Sequence, residues 1–319
     1  MFIIPVTAQE TISYQYGCYT KNKYIKVKPF LKWAGGKTQI ISEIEKYYPF
    51  KNTTINKYAE PFVGGGAVLF DILNKYNLKE VYISDINADL INTYNTIRNN
   101  IESMIDMLST MQTEFIPMNT EDRKSYYIKK RERFNELKLN CNETINIEKA
   151  ALMIFLNKTC FNGLYRVNKN GEFNVPIGRY NNPTICDEEN LKSVSEKLKN
   201  VTIICGDYRK STDFIDKDTF VYFDPPYRPL TKTSNFTSYT ENAFDDKSQI
   251  ELASYVDILH KKGAKILVSN SDPKNINTDD TFFDEMYASY FIRRVDASRV
   301  INSKSQARGK IKELLISNF

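Results

Sequence analysis

Histidine occurs once in the 319 residues, at His260. A metal centre built from several imidazoles is therefore excluded, and a histidine-based triad is open only through that one residue, which falls inside a predicted helix. The five cysteines (Cys18, Cys141, Cys160, Cys186 and Cys205) show no C-x-x-C spacing. Their scatter argues against a zinc site or disulfide framework and fits reduced, structural thiols. Long apolar runs are also missing. The longest clean one, "AALMIFL" at residues 150–156, falls far short of the ~20 residues of a membrane-spanning helix. The first residues, "MFIIPVTAQE", carry no basic region and their apolar stretch is broken by Pro5, so no signal peptide is read there and a cytoplasmic location away from membranes is expected. No metal is expected, and catalysis is left to carboxylates, amides, aromatics or a cofactor.

What is present is a soluble-protein composition, 41% hydrophobic and 26% charged, with a net charge of +5 that is compatible with a polyanionic partner. Twenty-one tyrosines and nineteen phenylalanines are a generous aromatic supply. Most suit a core, and the same rings can stack on bases.

Residues 1–28 show no clear period and are read as an extension of unassigned role. From Pro29 onward the signals sharpen. "KYAEPF" reads as a strand ending at Glu60, "GGGAVLFDILNKY" as a helix, "EVYISDIN" as a strand and "ADLINTYNTI" as a helix. That alternation predicts a parallel sheet with crossover helices. The middle of the chain is helical and polar, then rich in Gly, Asn and Pro at "FNGLYRVNKNGEFNVPIGRYNNP", which reads as loop or hairpin. Strand signals return in "NVTIICGD", "TFVYFDPPY", "AKILVSNSD" and "KELLISN". The expected organisation is an α/β domain formed by residues 29–95 and 200–319, split by a mainly helical insertion at 96–199.

Three motifs carry chemistry. In "VYFDPPYRPL" a strand-forming run is stopped at Asp224 by Pro225 and Pro226, because proline donates no backbone hydrogen bond and restricts its predecessor. The bland reading is a surface turn; the sharper one makes Asp224, the following carbonyls and Tyr227 face a ligand. "EPFVGGG" sits between a strand and a helix, where α/β sheets meet nucleotide-like ligands, and Asp85 follows Gly64 by 21 residues at the next strand end, suited to ribose hydroxyls. It is not the dinucleotide fingerprint, since the third glycine position is Leu69. "FLKWAGGKTQ" fails the phosphate-loop pattern, because Leu31 stands where the first glycine is required. Glycines, an acid and no basic residue committed to a pyrophosphate suit S-adenosylmethionine, with Lys37 available to its carboxylate.

In this order, "FLKWAGGK", "EPFVGGG", "SDIN", "FNGLYRVNKNGEFNVPIGRY", "YFDPPY" and "LVSNSD" resemble the Dam-type DNA adenine-N6 methyltransferases from about Pro29 to the C-terminus. The resemblance implies a Rossmann-like methyltransferase sheet with helices on both faces, and a helical target-recognition insertion bearing a hairpin loop. It implies that Trp33, Lys37, Phe62, Gly64, Asp85 and Asp224 meet S-adenosylmethionine, and that Lys32, Phe161, Asn162, Leu164, Arg166, Pro176 and Tyr180 meet double-stranded DNA. Within that set Lys32 matches a contact to the outer guanine, Leu164 and Pro176 match contacts to thymine, Arg166 matches the reader of a guanine, and Tyr180 a flanking contact. Phe161 departs from the tyrosine of some members, losing a hydroxyl and keeping a stacking face. The implied target is adenine within GATC. A cognate restriction endonuclease is a functional partner compatible with the family, and no obligate protein partner is inferred.

The amine of adenine is a poor nucleophile inside a duplex, so the base must be extruded and aligned. Asp224 and the carbonyl of Pro225 can accept its two N6 hydrogens, Pro226 stiffens the turn and adds no competing donor, and Tyr227 can stack on the ring. No Pro-Cys pair exists for cytosine-C5 chemistry. Cytosine-N4 transfer, a different target sequence and a catalytically degenerate DNA-binding protein remain the alternatives. Arg299, Lys304, Arg308 and Lys310 read either as phosphate contacts or as a solvated basic loop, and "NFTSYT" at 235–240 either as a cover over the base or as a surface loop.

Overall fold

Seven strands pair into one sheet in the order β3-β2-β1-β4-β5-β7-β6 among the described residues. The computed structural model describes residues 26–51, 54–137, 145–228, 244–298 and 310–319. The strands are β1 (Lys57–Glu60), β2 (Glu80–Asp85), β3 (Val201–Cys205), β4 (Thr219–Phe223), β5 (Lys265–Ser271), β6 (Phe291–Ser298) and β7 (Lys310–Ser317). Strands β3, β2, β1, β4 and β5 are parallel, as the alternating pattern predicts. The sheet is not parallel throughout: β7 runs antiparallel to β5, and β6 antiparallel to β7.

The period-two alternation of the strands decides what lies on each face. Tyr58, Val81, Ile83, Phe220, Tyr222 and Leu267 enter one core cluster. Their neighbours Ala59, Tyr82, Val221, Phe223, Ile266 and Val268 enter a second on the opposite face. Helices α2 (Ala67–Lys75) and α3 (Ala88–Asn99) contribute to the first, and α8 (Asp246–Lys261) to the second. Helices therefore cover both faces, and every residue of β4 is buried, as expected for a central parallel strand.

The polar middle of the chain forms α4 (Ile101–Phe115), α5 (Thr120–Glu136) and α6 (Ile147–Thr159). Helix α6 is buried on nearly all sides because α3, α4 and α5 surround it. Its Lys149, almost wholly buried, pairs with Asp89 of α3 at 3.2 Å. The Gly- and Asn-rich stretch after α6 is a loose hairpin, closed by antiparallel bridges between Cys160 and Ile177 and between Val167 and Phe173.

Among the described residues no helix is long and apolar enough to cross a membrane. Among the described residues Cys160 and Cys186 are free thiols. Residues 1–25 of the extension, the segment 235–240, and Arg299, Lys304 and Arg308 lie outside the described residues, as does the side chain of Lys310.

Candidate active site

Strand order reverses between β1 and β4, which are hydrogen-bonded neighbours with Tyr58 opposite Phe220 and Ala59 opposite Val221. In an open α/β sheet, such a switch point leaves a crevice beyond the carboxyl ends of the strands. A cavity of about 1460 Å³ opens there, and Trp33, Lys37, Phe62, Gly64, Asp85 and Asp224 all line it. Pro225, Pro226, Tyr227 and Lys32 line it too.

Asp224 is the first residue after β4. Its Oδ1 accepts from the Ser269 hydroxyl at 2.9 Å and pairs with the buried Lys37 ammonium at 2.8 Å. Burial pushes its carboxyl up, and Lys37 and Ser269 oppose that rise by favouring the ionised form. Both partners hold the same oxygen, so Oδ2 keeps its acceptor capacity among the described residues. The Pro226 carbonyl is engaged by Gln249 Nε2 at 3.0 Å, while the Pro225 carbonyl has no donor among the described residues. Tyr227 donates its hydroxyl to Glu313 at 2.6 Å, and Lys37 Nζ stands 4.5 Å from the centre of its ring. The commitment of Lys37 to Asp224 and Tyr227 was not visible in the motif, which suggested only a cofactor carboxylate.

The glycine loop is shaped by packing as much as by any ligand. Gly64 and Gly66 have positive φ (48° and 73°), open to glycine at little cost. A Cβ on Gly64 would lie 2.8 Å from the Trp33 ring, and one on Gly66 2.5 Å from the Tyr94 hydroxyl. Trp33 is itself stacked on Tyr165, with centroids 5.5 Å apart and planes at 24°. Asp85 accepts from Gly64 N–H at 3.1 Å and Asn87 N–H at 2.9 Å. Burial raises its carboxyl, and these two amides, with that of Ile86, offset part of the rise. Asp85 lines the cavity, and an ionised carboxylate only accepts, so the acid suits a polar hydroxyl donor. Phe62 closes another wall against Tyr208, Phe223 and Phe244.

The hairpin residues form a separate surface that meets the cavity at Lys32. The Lys32 backbone exchanges two hydrogen bonds with Asn157, at 2.9 and 2.8 Å, and its ammonium lies 4.7 Å from the Tyr180 ring centre. Phe161 is 52% exposed although its N–H donates to Pro176 O at 2.8 Å, so an aromatic ring is presented to solvent from an anchored backbone. Asn162 is the one non-glycine with positive φ (55°) among the described residues. Leu164 is half-buried against the core. Arg166 is exposed, and Asn174 Oδ1 accepts from its Nε at 2.8 Å, which orients the guanidinium.

Several residues of the site carried no assignment from sequence. Ser269 lies in the quoted "LVSNSD" without a role there. Glu313 and Tyr165 are brought in by β7 and the hairpin, and no local pattern marks them. Glu60 is 2% exposed, accepts from Tyr58 at 2.7 Å and receives the Leu69 N–H, so it serves the uncapped start of α2.

A doubly wound sheet with Asp85 at the end of β2 and Asp224 just beyond β4, on either side of β1, and a cavity joining them, defines a Rossmann-like methyltransferase fold. The chain belongs to the D12 class N6 adenine-specific DNA methyltransferases, whose family model matches residues 33–301. It is 53% identical over 298 residues to the type II methyltransferase M.MjaIII of Methanocaldococcus jannaschii, covering 92% of this chain and 100% of that one. It is 37% identical to the type II methyltransferase M1.LlaDCHI of Lactococcus lactis, covering 94% and 98%. The identity to the DNA adenine methylase of Haemophilus influenzae is also 37%, covering 91% and 93%.

Proposed function

We propose that this adenine-specific DNA methyltransferase uses S-adenosylmethionine as donor and acts on the adenine of GATC in double-stranded DNA. The observation that carries the reading is the stopped end of β4. Asp224, braced by Lys37 and Ser269, and the Pro225 carbonyl stand as open acceptors in the same cavity as Asp85 and the glycine loop. S-adenosylmethionine, when bound, supplies a methyl group on a sulfonium. Asp85 would hold its ribose hydroxyls, and residues 62–66 with Trp33 would hold its adenosine and amino-acid parts. Asp224 and Pro225 accept the N6 hydrogens of the extruded adenine and turn its lone pair outward, Pro226 keeps that turn rigid, and Tyr227 covers the ring.

Residues 29–95 and 200–319 serve as the catalytic domain in this reading, and 96–199 as the recognition insertion. Support for GATC comes from Lys32, Leu164, Arg166 and Pro176 at the family's reading positions, with the exposed Phe161 and the oriented Arg166 on the hairpin. A bidentate arginine–guanine pair gives about 1–3 kcal/mol of discrimination. The relatives named type II methyltransferases favour a role beside a restriction endonuclease.

The test is plasmid incubated with the protein and S-adenosylmethionine, then cut by nucleases that recognise GATC only when methylated or only when unmethylated. Protection from the second and sensitivity to the first are expected, both lost in Asp224→Ala with duplex binding kept. Methyl label taken up elsewhere would overturn the target sequence, and full activity of Asp224→Ala would overturn the site.

A further inference from the structure

Tyr227 is the last member of the D-P-P-Y motif, and its ring needs a fixed plane if it is to cover an extruded base. Backbone rigidity from the two prolines reaches only to its Cα. The ring can still rotate about two side-chain bonds, so something else must set its orientation. The neighbouring parallel strands offer no partner for the phenol. The partner comes from β7, the antiparallel strand that the sheet adds beyond β5. Glu313 stands opposite Ser271 in that pairing, at the end of β5 that lies on the same side of the sheet as Asp224. From there its carboxylate Oε2 accepts the Tyr227 hydroxyl at 2.6 Å. A bond of that length from a phenol to a carboxylate is in the strong, charge-assisted range.

Among the described residues, the cations of β6 and β7 beside Glu313, and the lysine over the Tyr227 ring, pair with other acids. Lys312 pairs with Asp296, Arg294 with Asp272 and Asp284, and Lys37 with Asp224. Among the described residues the Tyr227 hydroxyl is thus the partner left for this carboxylate. Burial, Asp224 and Glu313 all push the Tyr227 phenol well up from its ordinary value, so it stays a neutral donor. The ring is then held at its tip by Glu313 and on its face by Lys37, whose ammonium lies 4.5 Å from the ring centre.

We propose that Glu313 is a positioning residue for methyl transfer, acting through Tyr227 by fixing the plane on which the target base stacks. The inference rests on the reading of Tyr227 as the ring that covers the adenine. Neither proline nor any residue of the motif supplies this restraint. It is imported from a strand near the C-terminus, 86 residues away along the chain.

The experiment is steady-state methyl transfer to a methyl-free plasmid by Glu313→Ala, Glu313→Gln, Tyr227→Phe, Tyr227→Ala and the Tyr227→Phe/Glu313→Ala double variant. Thermal unfolding is recorded for each. Glu313→Ala is expected to lower kcat about tenfold, the size of one lost charge-assisted hydrogen bond, with KM for S-adenosylmethionine unchanged. Glu313→Gln keeps an acceptor and should recover most of that loss. Tyr227→Phe should lose as much as Glu313→Ala, and the double variant no more than Tyr227→Phe alone. Full kcat in Glu313→Ala, or a further loss in the double variant, overturns the proposal. If Glu313→Ala does not fold, Glu313→Gln and Tyr227→Phe carry the comparison: a Tyr227→Phe enzyme as fast as wild type overturns it equally. Tyr227→Ala separates the two levels. Its full activity would sink the stacking role itself, whereas an inactive Tyr227→Ala beside a fully active Glu313→Ala sinks only the role of Glu313.

Discussion

Replacing Ser269 by alanine should damage stability and catalysis through two different hydrogen bonds, which a second substitution can separate. Ser269 is fully buried, and its Oγ lies 2.9 Å from both the Tyr222 hydroxyl and Asp224 Oδ1. A serine hydroxyl has one proton, so it donates to the carboxylate while accepting from the tyrosine. Alanine leaves the buried Tyr222 hydroxyl without a partner among the described residues, at about 1–3 kcal/mol of stability. It also removes a bond to a charged acceptor, about 1.5–3 kcal/mol, which corresponds to roughly a ten- to hundredfold fall in rate if the whole bond is felt in the transition state. Tyr222→Phe added to Ser269→Ala removes the orphaned hydroxyl, because deleting both partners is nearly neutral. The double variant should therefore regain most of the stability and none of the rate. Urea unfolding and single-turnover methyl transfer read the two quantities on the same samples. A double variant as fast as the wild type, or a Ser269→Ala enzyme that loses neither quantity, would refute the idea that Ser269 orients Asp224.

Glu60 gives a pH-dependent prediction. Burial raises its carboxyl well above the ordinary value of 4.5, with Asp224 adding to the rise and Tyr58, Leu69 and Lys37 opposing it. The folded state therefore holds this proton more tightly than the unfolded chain, so the group's contribution is complete below pH 4.5 and is lost as pH rises through the folded-state value. Glu60→Gln, which cannot ionise, should gain stability relative to wild type as pH is raised, measured as the unfolding midpoint across a pH series; a difference that shrinks with pH counts against the buried, protonated acid. Tyr165→Leu should raise the Kd for S-adenosylmethionine about two- to tenfold, since the stack on Trp33 is worth about 0.5–1.5 kcal/mol and Trp33 packs on Gly64. Calorimetric titration that returns an unchanged Kd would remove Trp33 positioning from the account.

Much of this protein could be read along the chain. The strand ending in Asp224, the glycine turn before α2, Asp85 at the end of β2 and the loose hairpin after α6 are all marked by residues whose backbone chemistry acts locally. Prolines stop a strand and glycines permit a turn wherever the rest of the molecule lies. The edge strand β6 was not read, because "FIRRVDAS" mixes charged and apolar residues as a half-solvated edge does. The antiparallel entry of β7 was also hidden, since a strand's own pattern carries no direction.

Tertiary structure alone decided the partners of the site. Lys37 meets Asp224 across 187 residues of sequence, Ser269 meets it across 45, and Glu313 reaches Tyr227 across 86. Sequence spacing says nothing of such pairs, because they depend on the order in which strands join the sheet. With β1 beside β4, β4 beside β5 and β7 beside β5, three distant segments arrive at one edge. The acid at the end of β4 was legible as an acid that stops a strand; what holds it and its tyrosine in place is a property of the assembled sheet.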